Sequence, residues 1–148
     1  MKPLKQLIPV RSEPGNEHTA EHDGLLIDVF KLIHMVQDFP RQEVKISDLM
    51  HQMEDLCWTD EHGKISPEFV VIILKEEGYG KATGRYPSLA EHINKIKNSD
   101  YSFPLIAYRG RIIDGMHRLA KAVLENQTSI RVIDLEEIPQ EALMERKA

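Results

Sequence analysis

Apolar residues recur at helical spacing in three stretches of the chain. Between residues 25 and 39 they stand at every third or fourth position, which predicts one amphipathic helix that Pro40 ends. Residues 87–97 and 116–125 have the same period and predict two further helices. The faces predicted to be buried comprise Leu25, Val29, Leu32, Ile33, Val36 and Phe39 in the first helix, Leu89, Ile93 and Ile96 in the second, and Leu119, Ala122 and Val123 in the third.

Short apolar or alternating runs predict strands between these helices. The runs are residues 43–46, 105–108, 112–113 and 130–135. Since strands and helices follow one another along the chain, the pattern predicts an α/β (α+β) fold, in which helices pack on a small mixed sheet of about four strands. A chain of 148 residues is long enough for one such domain with its own core.

Two intermediate segments carry helix signals. Ser47 is expected to cap a helix over residues 48–56, with Leu49, Met53 and Leu56 on its buried face. Ser66 and Pro67 form a start signal for a helix that ends before Gly78. The apolar run inside that second segment leaves a strand open as the alternative.

Residues 78–85 contain three glycines and two basic residues. A phosphate loop needs the order Gly-Lys-Ser/Thr at a helix start, and that order is missing here. The composition therefore predicts a mobile loop, with a lid over a pocket as one use for it.

Polar composition sets off the two ends of the chain. Residues 1–24 are interrupted by Pro and Gly and predict a flexible arm, while residues 141–148 predict a tail. The predicted single domain spans residues 25–140. Within the arm, His18 and His22 stand four residues apart, but they have no third ligand nearby, so no metal site is expected.

The charge balance narrows the classes of partner. The net charge of −5 argues against a general attraction to nucleic acid. No apolar run has the length of a membrane span, and the N-terminal residues do not resemble a signal peptide. Cys57 is the single cysteine, which excludes an internal disulfide and agrees with a reducing compartment. The expected location is the cytoplasm.

Groups able to bind an anion concentrate where the strand at 112–113 meets the last predicted helix. Asp114 is expected to cap this helix, and Gly115 to let a ligand approach the backbone. His117 and Arg118 follow in the first turn, at the positive end of the helix dipole. These donors predict an anion site, most simply for phosphate, while an ordinary cap with a surface His-Arg pair stays the alternative. The predicted phosphate-binding residues are Asp114, Gly115, Met116, His117, Arg118 and Lys121.

The segment from Tyr101 to Ala122 resembles the signature of the ParB/sulfiredoxin superfamily. In that family the pattern forms a strand, a turn and a phosphate-binding helix start. The resemblance covers the last third of the chain, with a weaker likeness at residues 43–49, and is greatest to the small stand-alone ParB-like proteins of bacteria. The matching positions are Pro104, Gly110, Asp114, Gly115, His117, Arg118 and Ala120.

Departures from the family pattern limit what the resemblance implies. Sulfiredoxin has its catalytic cysteine immediately before the His-Arg pair, where this chain has Met116, so sulfiredoxin activity is not expected. Partition ParB proteins also carry a helix-turn-helix domain, for which 148 residues leave little room. The free serine kinases that share the fold use a carboxylate base, which has no assigned counterpart in this chain.

The resulting hypothesis is that the chain binds a nucleotide or another phosphorylated small molecule at the turn from Asp114 to Arg118. The resemblance implies ATP or CTP, with Mg²⁺ as a companion ion, and nothing indicates zinc. An enzyme of this kind would be a nucleotide hydrolase or a phosphotransferase, and its catalytic candidates are His117 and Glu43, with Asp48 and Glu54 as further possible bases.

The alternative hypothesis is a ParB-type module that binds a protein partner or DNA under nucleotide control, without catalysis. Both hypotheses are compatible with a homodimer. Trp58 is interpreted as a core or rim anchor, with base stacking as the alternative. Arg85 and His92 are expected at the surface, with contact to a ligand as the alternative.

Overall fold

The computed structural model of the protein describes residues 18–144 and has an α+β fold, as the sequence predicts. The helices in this range are α1 Val29–Val36, α2 Pro67–Glu77, α3 Tyr79–Arg85, α4 Ala90–Lys97 and α5 Met116–Leu124. The strands are β1 Thr19–His22, β2 Leu25–Asp28, β3 Gln42–Lys45, β4 Trp58–Asp60, β5 Gly63–Ile65, β6 Leu105–Tyr108, β7 Arg111–Asp114, β8 Ser129–Leu135 and β9 Leu143–Met144. Short 3₁₀ turns cover Ile46–Asp48, Met50–Glu54, Pro87–Leu89 and Gln140–Ala142.

The strands form three small sheets. Four strands make one sheet in the order β3–β8–β6–β7, which confirms the predicted sheet of about four strands. Within it, β3 and β8 are antiparallel, as are β6 and β7. The other sheets have the orders β1–β2–β9 and β4–β5, and their strand pairs are also antiparallel.

The described chain divides into two compact units. The first unit comprises the described chain up to Pro40, the segment Ile106–Asp114 and the described chain from Ile133 onward. Its core forms where α1 packs with strand residues and with the 3₁₀ turn at Gln140–Ala142. The buried residues of this core are Ile27, Leu32, Val36, Ile106, Ile133, Leu135 and Ala142.

The second unit takes Arg41–Leu105 and Gly115–Val132 and contains the other four helices. Helix α5 packs on α2 and on α4, and α3 packs on the same two helices. Leu119, Ala122 and Val123 of α5 are buried, which confirms the predicted inward face of this helix. The predicted helix at residues 87–97 is also confirmed, with Leu89, Ile93 and Ile96 buried.

The predicted helix at residues 25–39 is wrong in its first turn. Residues 25–28 form β2, because Asp23 and Gly24 adopt positive φ values of 50° and 78° and turn the chain back along β1. The Asp28 carboxylate then caps α1 by accepting from the Lys31 N–H at 3.3 Å. The helix therefore begins at Val29, and Phe39, predicted as buried, is exposed.

The predicted arm and tail each contain a strand. Residues 19–22, assigned to the flexible arm, form β1 and pair with β2, while residues 143–144, assigned to the tail, form β9 on the other edge of β2. Residues 1–17 and 145–148 lie outside the described residues. The limits of the single domain, residues 25–140, stay a prediction.

The predicted helix at residues 48–56 is replaced by two 3₁₀ turns. Its hydrogen bonds span three residues, from the Gln52 N–H to Leu49 and from the Asp55 N–H to Gln52. This tighter winding aligns residues at a spacing of three, and both Leu49 and Gln52 are buried. Met53 is buried as predicted, whereas Leu56 is 62% exposed.

The helix predicted to follow Ser66 is confirmed, and the strand alternative is wrong. The Ser66 side chain accepts from the Phe69 N–H at 3.2 Å, and Pro67 is the first helical residue. The predicted mobile loop at 78–85 is also wrong, because Tyr79–Arg85 forms α3. Gly78, with φ 79°, links the two helices, and an ion pair joins Glu77 to Arg85 across them. No helix within residues 18–144 has the length and apolar content required to cross a membrane.

Candidate functional site

The start of α5 is built around Gly115. The helix cap is Gly115, with φ 107°, and the prediction that Asp114 is the N-cap is wrong. A Cβ atom at Gly115 would lie 2.5 Å from Leu105 Cδ2 and 3.4 Å from Leu105 Cα. The backbone conformation and the packing against Leu105 therefore both require glycine, independently of any ligand.

Asp114 ends β7, and the structure places its carboxylate beside His18 in the first unit. The distance from His18 Nε2 to Asp114 Oδ1 is 3.3 Å. The His18 ring also meets Phe30 edge-on at 5.2 Å, whereas His22 meets Tyr108 in the same way. Across residues 18–144 no three His, Cys, Asp or Glu side chains form a group that could hold a metal ion.

The two cationic side chains predicted to bind phosphate both donate to backbone carbonyls. Arg118 Nη1 donates to the Pro104 carbonyl at 2.6 Å. Lys121 Nζ donates to the carbonyls of Lys97 and Ser99, at 2.9 and 2.7 Å, where α4 ends. Because the last carbonyls of a helix lack partners within it, a lysine at this point stabilises the helix end. Both cations thus hold parts of the second unit together.

A carboxylate accompanies these two cations. Asp100 Oδ1 accepts from the Ser102 N–H at 2.9 Å. The hydrogen bonds from Ser102 lower the pKa of Asp100, and the positive charges of Lys121 and Arg118 lower it further. The cations therefore already have one fixed negative charge near them, which the linear motif does not reveal.

His117, in the first turn of α5, belongs to a group of three aromatic side chains. Its ring stacks on the Trp58 indole, with 4.2 Å between ring centres and 10° between the planes. The His92 ring stacks on the same indole at 4.7 Å and 10°. Trp58 is 7% exposed, which confirms the anchor interpretation, while both histidines are half-buried.

The two histidines are also hydrogen-bonded to each other. His92 Nδ1 and His117 Nε2 are 3.0 Å apart, and the other nitrogen of His92 lies 2.7 Å from the Thr59 carbonyl oxygen. The ring centres are 5.3 Å apart and the planes differ by 13°, so the two imidazoles meet edge to edge in nearly one plane. Thr59, His92 and His117 thus form a continuous polar chain on one face of the indole.

The contacts between α4 and α5 show that these helices run in the same direction. An early residue of α5, His117, contacts an early residue of α4, His92, while Lys121 one turn later contacts the end of α4. The first turn of α5 therefore lies beside the early part of α4, where the histidines meet. The positive end of the α5 dipole lies at this place, which favours a bound anion.

The remaining catalytic candidates lie on other elements. Glu43 is exposed on β3, and its Oε1 accepts from the Ser129 hydroxyl at 2.8 Å. Asp48 and Glu54 are exposed in the two 3₁₀ turns, and Glu54 lines a cavity of about 410 Å³. Met116 is half-buried at the first position of α5. The catalytic role of Glu43 stays a prediction.

Sequence reasoning missed the partnership of Trp58, Thr59 and His92 with His117. These partners are separated from His117 by 25 residues or more along the chain. Periodicity and capping signals report on local structure alone, so they carry no trace of such contacts. The one available signal was that both histidines fall in predicted helices.

Neither the protein-family models nor the curated proteins nor the solved structures contain a match to this chain.

Proposed function

We propose that the protein binds a nucleotide or another phosphorylated small molecule at the first turn of α5, and that His117 moves a proton there. The observation that carries the proposal is the fixed position of His117, stacked on Trp58 and bonded to His92 at 3.0 Å. A half-buried imidazole held by two partners at a helix start is suited to binding a phosphate or to acid–base chemistry.

The backbone supports the same proposal. Helix α5 begins at Gly115, a residue with no side chain that could cap the helix. In our proposal the backbone N–H groups of this first turn bind the phosphate, at the positive end of the α5 dipole. Arg118 and Lys121 contribute positive charge from positions set by their carbonyl partners.

In this proposal Mg²⁺ binds as a complex with the nucleotide. The groups around His117 are imidazole nitrogens and backbone N–H groups, whereas Mg²⁺ takes oxygen ligands, so these residues do not fit a resident magnesium ion. Phosphate oxygens of ATP or CTP supply the required ligands themselves. Membership of the ParB/sulfiredoxin superfamily and a bacterial source belong to the same proposal and rest on the motif from Tyr101 to Ala122. The proposed cytoplasmic location rests instead on the single cysteine and on the composition of the chain.

Calorimetric titration of the full chain with CTP, ATP, ADP and inorganic phosphate, each with and without Mg²⁺, tests the proposal. We expect at least one nucleotide to bind, and His117→Phe to weaken binding about tenfold or more, the equivalent of about 1.4 kcal/mol. The matched control is His62→Gln, since His62 is an exposed histidine in the turn between β4 and β5 of the same unit.

Failure of every ligand to bind would refute the proposal. Equal binding by the wild type and by His117→Phe would also contradict it, because the phosphate would then lie elsewhere.

A further inference from the structure

Helix α2 borders an apolar groove that carries two charges of opposite sign, Glu68 and Lys75. We propose that this face is the interface of a homodimer, in which α2 of one copy packs antiparallel on α2 of a second copy about a two-fold axis. Glu68 of each copy then lies opposite Lys75 of the other. This inference is independent of the proposed nucleotide site, and every residue that carries it belongs to the second unit.

The groove is the cavity of about 410 Å³ that is lined by α2, by the 3₁₀ turn Met50–Glu54 and by Val123 of α5. Its apolar lining includes Met50 and Ile72, which are 37% and 48% exposed. Phe69, one turn before Ile72, is 47% exposed and extends the apolar surface along α2. Large apolar side chains that are exposed and gathered around one groove are typical of an interaction surface.

The charges of the groove follow the period of the helix. Glu68, Ile72 and Lys75 stand on one face of α2, because spacings of four and three residues return to the same side of a helix. Glu68 and Lys75 are about 10 Å apart along the helix axis, which is too far for them to pair with each other. Neither of them forms an ion pair with another residue within 18–144.

A two-fold axis makes this face complementary to itself. The midpoint between Glu68 and Lys75 falls between Val71 and Ile72, so an antiparallel helix centred there brings each glutamate opposite a lysine. The Ile72 side chains of both copies then meet at the centre of the interface. A parallel second helix would instead bring equal charges together, which is unfavourable. The face therefore supplies its own partner chemistry, which favours a second copy over an unrelated protein.

Sedimentation velocity of the full chain at a series of concentrations measures the dimer. A face formed by one helix and one turn is at the small end of interface sizes, so we expect a weak dimer with a Kd of about 10–100 µM. Ile72→Ser should raise the Kd at least tenfold, whereas the control Phe39→Ser, at an exposed aromatic residue of the first unit, should leave it unchanged. A wild-type chain that stays monomeric at about 1 mM would overturn the proposal and leave the face to a different protein.

Two charge reversals test the antiparallel arrangement. Glu68→Lys and Lys75→Glu should each raise the Kd at least tenfold when studied alone, because like charges then face each other. An equimolar mixture of the two variants should form a heterodimer about as tight as the wild-type dimer, since both of its contacts pair a lysine with a glutamate. The control is Lys97→Glu, at an exposed lysine of α4 that does not line the groove. A mixture that stays as monomeric as its components would overturn the proposed pairing.

Methyl NMR of the isoleucine-labelled full chain separates a dimer from a groove that the chain itself covers. At concentrations well below the Kd, the Ile72 methyl groups should be accessible to a paramagnetic cosolute, and they should become protected as the concentration rises. Protection of Ile72 that does not depend on concentration would overturn the proposal, because another segment of the same chain would then occupy the groove.

Discussion

The polar side chains of α5 fall into two sets with different partners. Arg118 and Lys121 form the carbonyl-bound set, since each donates to the backbone of the second unit. His117 belongs to the aromatic set, together with Trp58 and His92. His117 and Lys121 are one turn apart on the same face of α5. His117 nevertheless contacts the His92 ring, whereas Lys121 contacts the carbonyl groups at the end of α4.

This difference teaches that a motif resembling a phosphate site can be required in part by the fold. Gly115 is fixed by its left-handed backbone and by Leu105, and the carbonyl-bound set has structural partners of its own. His117 is the residue of the motif whose partners are other ring side chains, Trp58 and His92. The proposed function therefore rests on the aromatic set, whereas the other residues are expected to stabilise the fold, and each of the following substitutions tests that division.

The largest effect is expected for Gly115→Ala. A left-handed residue with a Cβ costs about 1–2 kcal/mol, and crowding a packed core costs at least as much, so the free energy of unfolding should fall by about 2–4 kcal/mol. Urea denaturation measures this loss. The control is Gly84→Ala in α3, where a Cβ meets no atom within 4 Å, and it should gain up to about 0.5 kcal/mol. Equal effects at the two glycines would contradict the packing account.

Lys121→Met is expected to lower the free energy of unfolding by about 1–2 kcal/mol, because two charge-assisted bonds to the end of α4 are lost. Its matched control is Lys97→Met, an exposed lysine in the last turn of α4, which should change stability by less than about 0.5 kcal/mol. Thermal unfolding compares the two. A weaker effect at Lys121 than at Lys97 would show that the bonds from Lys121 to the end of α4 do not stabilise the fold.

His117→Phe is expected to lower nucleotide binding strongly and stability only a little, whereas Lys121→Met should do the reverse. The new ring can still stack on Trp58, so stability should fall by only about 0.5–1.5 kcal/mol, the value of one hydrogen bond. Nucleotide binding should fall more than it does in Lys121→Met. Denaturation and calorimetry on the same two proteins make the comparison, and a larger binding loss in Lys121→Met would reverse the assignment of the two sets.

The smallest effect concerns Asp100. Its pKa in the folded protein is lowered by Ser102 and by the nearby cations, so its carboxylate stabilises the fold above the unfolded pKa of about 3.9. That contribution is lost as the pH falls through the folded pKa, and solvent screening keeps it small. Carboxyl NMR should show the lowered pKa, and Ser102→Ala should raise it towards its ordinary value. An unchanged pKa in Ser102→Ala would refute the Ser102 side-chain hydrogen bond as a cause, since the backbone N–H of residue 102 is kept.

The parts of the fold predicted correctly are those with local causes. The strands β6 and β8, helix α5 and the Ser66 cap of α2 follow from periodicity and capping groups within a few residues. The error at residues 25–28 also has a local cause, the turn at Asp23 and Gly24, whereas the error at residues 78–85 has a cause outside such windows. Tyr79–Arg85 is helical despite two glycines, because the helix packs on α2 and α4 and its Arg85 pairs with Glu77.

In the candidate site, too, the correct predictions are those that depend on neighbouring residues. The sequence placed His117 and Arg118 in the first turn of a helix, as the structure does. It did not indicate that Arg118 bonds to Pro104 or that His117 meets Trp58 and His92, because these contacts join segments that are distant in the chain. The motif predicts where a candidate site lies, while the partners of each of its side chains depend on tertiary packing.

The contact at Thr59 has a consequence for how this site can evolve. What orients His92 is the Thr59 carbonyl, a group that every amino acid carries, and the Thr59 side chain is exposed. Residue 59 can therefore be replaced freely while its chemical contribution is inherited unchanged, provided that the β4–β5 hairpin keeps its shape. A comparison of related sequences would score this position as variable, although its carbonyl oxygen lies 2.7 Å from a ring nitrogen of His92.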